Sequence, residues 1–388
     1  VYVTDAKGVE ALAESIRGAE FIALDTEFMR ERTYYARLCL IQIATDSVEA
    51  VVDPIVIKDV TPLLDLLSDT RVTKVLHSGS QDLEILWHLS GHVPAPVFDT
   101  QIAATLAGFP SQVGYGALVN EIVGVRLDKA DTFTDWSRRP LSGAQVEYAL
   151  NDVRYLPQVY QELRSRLEAD GRLAWLEPDF DRLVDPATYE AVPEEQFRRL
   201  KRIASLGPQQ LGVLMKITAW REMEARRRDI PRRWVIGDES LVEIARRAPS
   251  DREGLAAIRG VTEKLPKSSY PGLLEAVREG MALSEDKLPR LERRRRRALD
   301  VAGGVDLMVA LVRKRAKEHG IATPLLASRQ ELERLAGGEQ EDTPLLEGWR
   351  RSIVGDELLE LLDGKRSMRL DRGRLVVESY EEAESADE

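Results

Sequence analysis

Apolar runs of strand length, punctuated by turn residues, fill the first hundred positions of this 388-residue chain. The runs 21–27, 38–44, 48–52 and 72–76 read as buried strands, a short strand precedes them at 1–4, and Thr45-Asp46-Ser47 turns the chain between 44 and 48. Helical spacing recurs at 9–16 and 57–67, and Val97-Phe98-Asp99-Thr100 reads as a strand end leading into a helix over 102–107. Short hairpin strands followed by helices predict a mixed sheet flanked by helices. Ser80 is expected to cap a helix with Asp82 in its first turn, where negative charge suits the helix dipole. Ser142 and Gln145 stand at capping-box spacing before a helix over 144–156. From 194 onward the pattern is helical throughout: Phe197, Leu200, Ile203 and Leu206 share a face, Gly207-Pro208 breaks it, and a long helix follows over 209–228. Pro178, Pro186 and Pro193, with acidic residues between them, mark a linker at 178–192.

Two places violate the apolar pattern in a way that suggests chemistry. Asp25 and Glu27 lie two apart in the first long strand, so both side chains leave the same face of a segment that is otherwise buried. Like charges so placed repel, and protonation or a hard divalent cation such as Mg²⁺ relieves them. Taken alone, the pair also fits the acidic outer face of an edge strand. On the helix over 144–156, Tyr148 and Asp152 are four apart and share a face flanked by Ala149, Val153 and Leu156, so an inward Asp152 needs a partner. Asp82 fits either a helix-capping role or a ligand at the strand-end edge of the sheet, where open α/β sheets bind.

Composition is that of a soluble globular protein, with 43% hydrophobic and 31% charged residues. No apolar run reaches membrane-span length and no basic-then-apolar leader pattern opens the chain, so a cytosolic protein is expected. The single cysteine, Cys39, lies in an apolar run, which excludes an internal disulfide and zinc–cysteine sites. The net charge of −11 argues against a nucleic-acid partner, but the basic residues are concentrated at 198–202, 226–228, 232–233, 293–297 and 313–315. Arg293 to Arg297 fits a solvated helix surface or a stripe that tracks phosphates, and Trp136, Trp220 and Trp234 are candidates to stack bases, the last two fitting a bundle core better.

Taken together, Asp25-x-Glu27 in a strand, Asp82 after a His-containing strand end, and Tyr148-x-x-x-Asp152 on a helix resemble the three motifs of the DEDD exonuclease superfamily in its tyrosine subclass. Glu27-Phe28-Met29-Arg30, Thr33-Tyr34-Tyr35, Leu38-Cys39-Leu40-Ile41-Gln42, Trp136-Ser137-Arg138-Arg139-Pro140-Leu141 and Tyr148-Ala149 are closer still to ribonuclease D. The resemblance covers roughly 1–175; Ala36 and Ser78-Gly79 depart from the usual residues without touching an acid. It implies a ribonuclease H-like α/β exonuclease domain over 1–177 that releases nucleoside 5′-monophosphates from RNA 3′ ends, with structured RNA such as tRNA precursors as substrate. It also implies that Asp25, Glu27, Asp82 and Asp152 hold two Mg²⁺ or Mn²⁺ ions about 3.5–4 Å apart. Tyrosine, with a reference pKa near 10, is a poor base at neutral pH, so Tyr148 is assigned to orienting the attacking water. Thr26, Phe28, Met29 and Gln42 lie close enough in sequence to touch the terminal nucleotide, although Phe28 and Met29 fit core packing equally well, and His77 reads as a strand-end structural residue. Downstream, Trp220-Arg221 through Arg226, Asp229 to Val235 and Asp238 to Leu241 resemble an HRDC domain, an all-α bundle placed at 193–283. A second, divergent HRDC-like helical bundle is placed at 287–378, before an acidic tail, 379–388, expected to be disordered. A monomer is expected. The competing readings are a DNA 3′ exonuclease, a non-catalytic RNA-binding adaptor, and helical domains that dock protein partners.

Overall fold

The computed structural model describes residues 1–127, 134–263, 265–291, 301–341 and 343–379. The Arg293 to Arg297 run and the tail beyond 379 lie outside the described residues. Six strands, β1 (Tyr2–Val3), β2 (Phe21–Met29), β3 (Arg37–Ala44), β4 (Glu49–Val52), β5 (Thr73–Leu76) and β6 (Val97–Asp99), form one mixed sheet in the order β1-β4-β3-β2-β5-β6. The β2–β3 and β3–β4 pairs are antiparallel, and β1–β4, β2–β5 and β5–β6 are parallel. Strand alternation gives the sheet two apolar faces. Ile22, Leu24, Ile41 and Ile43 pack with Val9, Leu12, Leu63, Leu67, Leu83 and Leu86 on one side. On the other, Phe21, Ala23, Ala44 and Val75 pack with Ala103, Leu118, Val159 and Leu163.

The helices of this domain are α1 (Ala6–Ser15), α2 (Pro54–Ile57), α3 (Thr61–Leu67), α4 (Ser80–Ser90), α5 (Thr100–Leu106), α6 (Tyr115–Val123), α7 (Gly143–Arg154) and α8 (Leu156–Ala169). Three differ from the sequence reading. The helix expected over 57–67 is split, because Lys58 takes a left-handed φ of 66° and Asp59 starts a new helix by accepting from the Thr61 N–H at 3.0 Å. Ser80 is not the cap of α4; that position is Gly79, where an added Cβ would lie 2.5 Å from Leu76. The turn leading into the helix is held by Asp99, whose carboxylate accepts from Ser78 N (3.1 Å) and Gly79 N (2.9 Å). The helix expected over 144–156 ends at Arg154, and α8 restarts at Leu156 with Pro157 in its first turn.

The proline-spaced stretch read as a linker contains a helix, Glu177–Val184, whose Phe180, Leu183 and Val184 pack against the sheet's core. Beyond it, the helix Pro208–Arg228 packs closely on the helix Tyr270–Met281; a Cβ on Gly280 would stand 2.4 Å from the Val213 backbone. Their cluster, from Phe197 to Val277, is separate from the sheet's. The helices between 302 and 362 behave differently: Val305, Leu311, Leu345 and Val354 share one core with Leu118, Val153 and Leu163. Trp175 and Trp349 stack across that junction with ring centres 5.0 Å apart. The chain then forms a hairpin, Arg366–Asp371 and Arg374–Ser379, where the sequence reading had only helix. Arg372 and Gly373 both take positive φ, the requirement of a tight two-residue hairpin turn.

Candidate active site

The site is built where β2, α4 and α7 meet. β2 carries Asp25 and Glu27 on the face that continues Phe21 and Ala23, and both are half-buried. α7 lies across β2, β3 and β4, held by two devices. The first is the expected capping box: Ser142 N donates to Gln145 Oε1 at 2.8 Å and Gln145 N donates to Ser142 Oγ at 3.2 Å. The second is Arg139, just before the helix, which donates to Asp53 at 2.8 Å, to the Cys39 carbonyl at 2.8 Å and to the Trp136 carbonyl at 2.7 Å. Asp53 is fully buried and also accepts from the Tyr2 hydroxyl. Burial alone would raise its pKa, but the bonds from Arg139 and Tyr2 outweigh that and hold it below the usual carboxylate value. The Trp136-to-Leu141 stretch is thereby fastened to the sheet, with Trp136 buried against Leu40, Val51 and Ala149. Trp136 is therefore not free to stack a base.

The fourth acid arrives from the other layer. Asp82, in the first turn of α4, is 7% exposed and accepts from the Thr26 hydroxyl. Asp99 fixes the turn before it, and the same carboxylate caps α5 through Gln101 N (2.8 Å) and Ile102 N (3.2 Å).

All four acids are raised, and two of them by the charges of the others. Burial pushes Asp25 well above the ordinary carboxylate value, and the charges of Asp82, Asp152 and Glu27 push it further. Burial and the charges of Asp152 and Asp82 raise Glu27 to about 8. Burial raises Asp152 to about 7, and raises Asp82 to about 6 against the opposing Thr26 bond. Asp25 and Glu27 thus titrate under the charges of Asp82 and Asp152. Among the described residues, no three His, Cys, Asp or Glu side chains stand as they would around a bound ion. The arrangement is a convergence of charge rather than a formed coordination shell. Its chemistry still fits a hard divalent cation, since all four donors are carboxylates and their repulsion is what such a charge offsets.

The remaining sequence-chosen residues divide. Tyr148 is on α7 one turn before Asp152, half-buried, its ring 6.0 Å from Trp136. Gln42 is fully buried directly across from Asp25 in the β2–β3 register, and neither polar atom of its amide has a hydrogen-bond partner. Phe28 is half-buried and belongs to none of the apolar clusters, whereas Met29 packs into the Trp136 cluster. Thr26 is 5% exposed and spends its hydroxyl on Asp82, so it positions an acid rather than facing an open surface. His77 has the structural place expected, with Nδ1 2.9 Å from Thr100 Oγ1 and Nε2 3.0 Å from the Val113 carbonyl.

Sequence reasoning missed Tyr115. Its ring stands 5.6 Å from His77, its hydroxyl accepts from Tyr155 N at 3.3 Å, and its pKa is raised by burial and then by the charges of Asp152 and Asp25. No local signal marks it. Asp99 was also missed in its wider role, though its place before a helix start marked it as a cap.

Ribonuclease D of Gluconacetobacter diazotrophicus is 45% identical to this chain over 97% of it and 96% of that protein. The chain belongs to the ribonuclease D family. Ribonuclease D of Granulibacter bethesdensis is 42% identical over 95% of this chain and 94% of its own length. A family model for 3′–5′ exonucleases matches residues 1–168, and one for the HRDC domain matches 210–287. The crystal structure of Escherichia coli RNase D, described as an exoribonuclease involved in structured RNA processing, superposes with a TM-score of 0.78 at 33% identity, covering 94% of this chain and 98% of that one. As a member of the ribonuclease D family, the chain is a 3′–5′ exoribonuclease with an α/β exonuclease domain followed by a helical HRDC region. No described helix is long and apolar enough to cross a membrane.

Proposed function

We propose that Asp25, Glu27, Asp82 and Asp152 hold two divalent cations, Mg²⁺ or Mn²⁺, and that this centre removes nucleoside 5′-monophosphates one at a time from a free RNA 3′ end. The observation that carries the reading is that Asp25 and Glu27, side by side on β2, are both pushed up by burial and by the charges of Asp82 and Asp152, so that positive charge is favoured beside them. Bound there, the cations would lower the pKa of the attacking water and stabilise the departing 3′-oxygen. The protein's own groups do the rest. The Tyr148 hydroxyl, one turn from Asp152, orients the water; Thr26 fixes the Asp82 carboxylate by its hydrogen bond. The half-buried ring of Phe28, outside the apolar clusters, suits the base of the terminal nucleotide, whereas the fully buried amide of Gln42 would reach it only if β3 shifts on binding. The substrate is structured RNA with a single-stranded 3′ end, such as a tRNA precursor; the processing of structured RNA by the E. coli relative supports this. The chain supplies every proposed site residue itself, which fits action as a monomer, in the cytoplasm.

The test is a 5′-labelled single-stranded RNA with and without Mg²⁺. A ladder shortening one nucleotide at a time is expected, abolished by a chelator. Asp152→Asn should lose more than the roughly 10–100-fold that removing an outer partner of a metal site costs. A chelator-insensitive activity, or an Asp152→Asn chain with unchanged turnover, rejects the four-acid centre.

A further inference from the structure

The loop after β2 is gripped by the HRDC region. The Tyr34 hydroxyl donates to Glu222, which is 1% exposed, and accepts from Arg226 and Arg232, each at 3.1 Å. The guanidinium of Arg232 sits 4.7 Å above the Tyr34 ring. Asp229 accepts from the Tyr34 and Tyr35 N–H groups at 3.0 and 3.1 Å. Beside this grip lies a cavity of about 530 Å³, within the range of ligand-binding clefts. Five arginines (30, 199, 221, 232 and 233) line it against one acid, Asp238.

Three of the five arginines are committed to the fold. Arg30 pairs with Glu84 through both terminal nitrogens (2.8 and 2.6 Å), Arg232 pairs with Glu222, and Arg221 bonds to Asp238 at 2.7 Å. Arg221 is 4% exposed, yet its Nε has no partner. The other two are open to solvent. Arg199 is exposed and makes no ion pair among the described residues; Arg233 is ion-paired with Asp238 at 2.9 Å, but its side chain is 78% exposed and can turn to a phosphate. Beside them Trp234 is 51% exposed, contrary to the core position read from the sequence. Positive charge beside an exposed indole is the combination that binds a single strand: arginine for the phosphates, the ring for a base. Arg30 is three residues beyond Glu27 in the chain, so the cavity starts within roughly 10 Å of the catalytic strand.

We propose that this cavity is a second RNA subsite, in which Arg199 and Arg233 hold backbone phosphates and Trp234 stacks a base of the strand upstream of the terminal nucleotide. The proposal rests on the exoribonuclease reading for the direction of the strand. Its function is to hold an RNA long enough to bridge both sites, and a dinucleotide, which occupies only the catalytic centre, gains nothing from it.

The experiment compares the full-length chain with Arg199→Gln/Arg233→Gln and with Trp234→Ala. Binding of a labelled 12-nucleotide RNA is measured by anisotropy from 50 to 200 mM salt, each chain also carrying Asp152→Asn so that the RNA survives. Turnover of a dinucleotide is measured without that change. The double arginine variant is expected to bind the 12-mer about tenfold more weakly, with a salt slope lower by about 0.7 for each phosphate that is no longer neutralised. Trp234→Ala should weaken the 12-mer severalfold at an unchanged slope, and dinucleotide turnover should be unchanged in both. Unchanged 12-mer affinity, an equal loss on the dinucleotide, or displacement of the RNA by a short polyglutamate peptide at equal concentration would each overturn the subsite, the last assigning the cavity to an acidic protein segment. Failure of the parent chain to degrade RNA would sink the exoribonuclease reading instead, and the binding series would still judge the cavity.

Discussion

Asp25, Glu27, Asp82 and Asp152 each have a folded-state pKa above the ordinary carboxylate value near 4. A raised value means that the folded chain holds protons which the unfolded chain has already released. The resulting stabilisation is complete below about pH 4 and is lost as the pH rises through the folded values, about 6 for Asp82, 7 for Asp152 and 8 for Glu27. Other groups titrate in the same window, so a difference measurement isolates the cluster. In chelator, the urea midpoint of the parent should fall from pH 5 to pH 9 relative to that of Glu27→Gln. Mg²⁺ should restore the parent at pH 9 and change little at pH 5. Parallel curves for the two chains would mean that the acids do not share a space. Asp25 and Glu27 were legible because strand periodicity alone puts them on one face. Asp82 had a bland capping alternative, so only the family resemblance singled it out. Tyr115 was illegible: its hydroxyl feels the charges of Asp152 and Asp25 from a helix start that no pattern ties to the β2 strand. The bond from Thr26 to Asp82 was not legible, because its partners are 56 residues apart.

At the scale of elements, the site depends on fixing α7 to the sheet, and a single ion pair does much of this. Arg139 is 16% exposed at its side chain and Asp53 is 0%, so neither has water as a ready substitute for the other. Arg139→Ala leaves a buried carboxylate without its cation, a change that costs about 3–5 kcal/mol. Asp53→Asn combined with Arg139→Met removes both charges and should recover a large part of that loss in a denaturation series. Because the Arg139 loop leads directly into α7, the single variant should also lose turnover beyond what its unfolded fraction explains. Full activity in the residual folded protein would separate the pair from the placement of Asp152. The capping box before α7 was legible because its side chains are three residues apart. The Asp53–Arg139 pair spans 86 residues, and its partners become neighbours only when the sheet forms. The terminal hairpin was missed for a different reason: its turn depends on Arg372 adopting a positive φ, which residue type does not announce.

Across the whole molecule, the HRDC region meets the loop after β2 at Tyr34, whose ring packs against that region's apolar cluster and whose hydroxyl and backbone make polar contacts to it. Glu222 is buried there among Arg226, Arg232 and the tyrosine hydroxyl, and those bonds and nearby charges keep its pKa low although burial opposes them. A contact of that kind has a sharply localised weak point. Tyr34→Phe removes the hydroxyl's bond to Glu222, worth about 1.5–3 kcal/mol, together with the bonds it accepts from Arg226 and Arg232, while keeping the ring beneath Arg232. Tyr34→Ala removes the ring as well and leaves Glu222 and the two arginines to pair without it. The two variants should therefore be graded in calorimetry, with Tyr34→Ala showing the HRDC region melting apart from the catalytic domain. The same gradation should appear in kcat/KM for a long RNA and be absent for a dinucleotide, because the loop carrying Tyr34 lines the arginine cavity but supplies none of the four acids. If both variants melt in one transition with parent kinetics on long RNA, the grip is a contact without consequence. If dinucleotide turnover falls equally, the loop instead acts by holding the end of β2, from which Asp25 and Glu27 project.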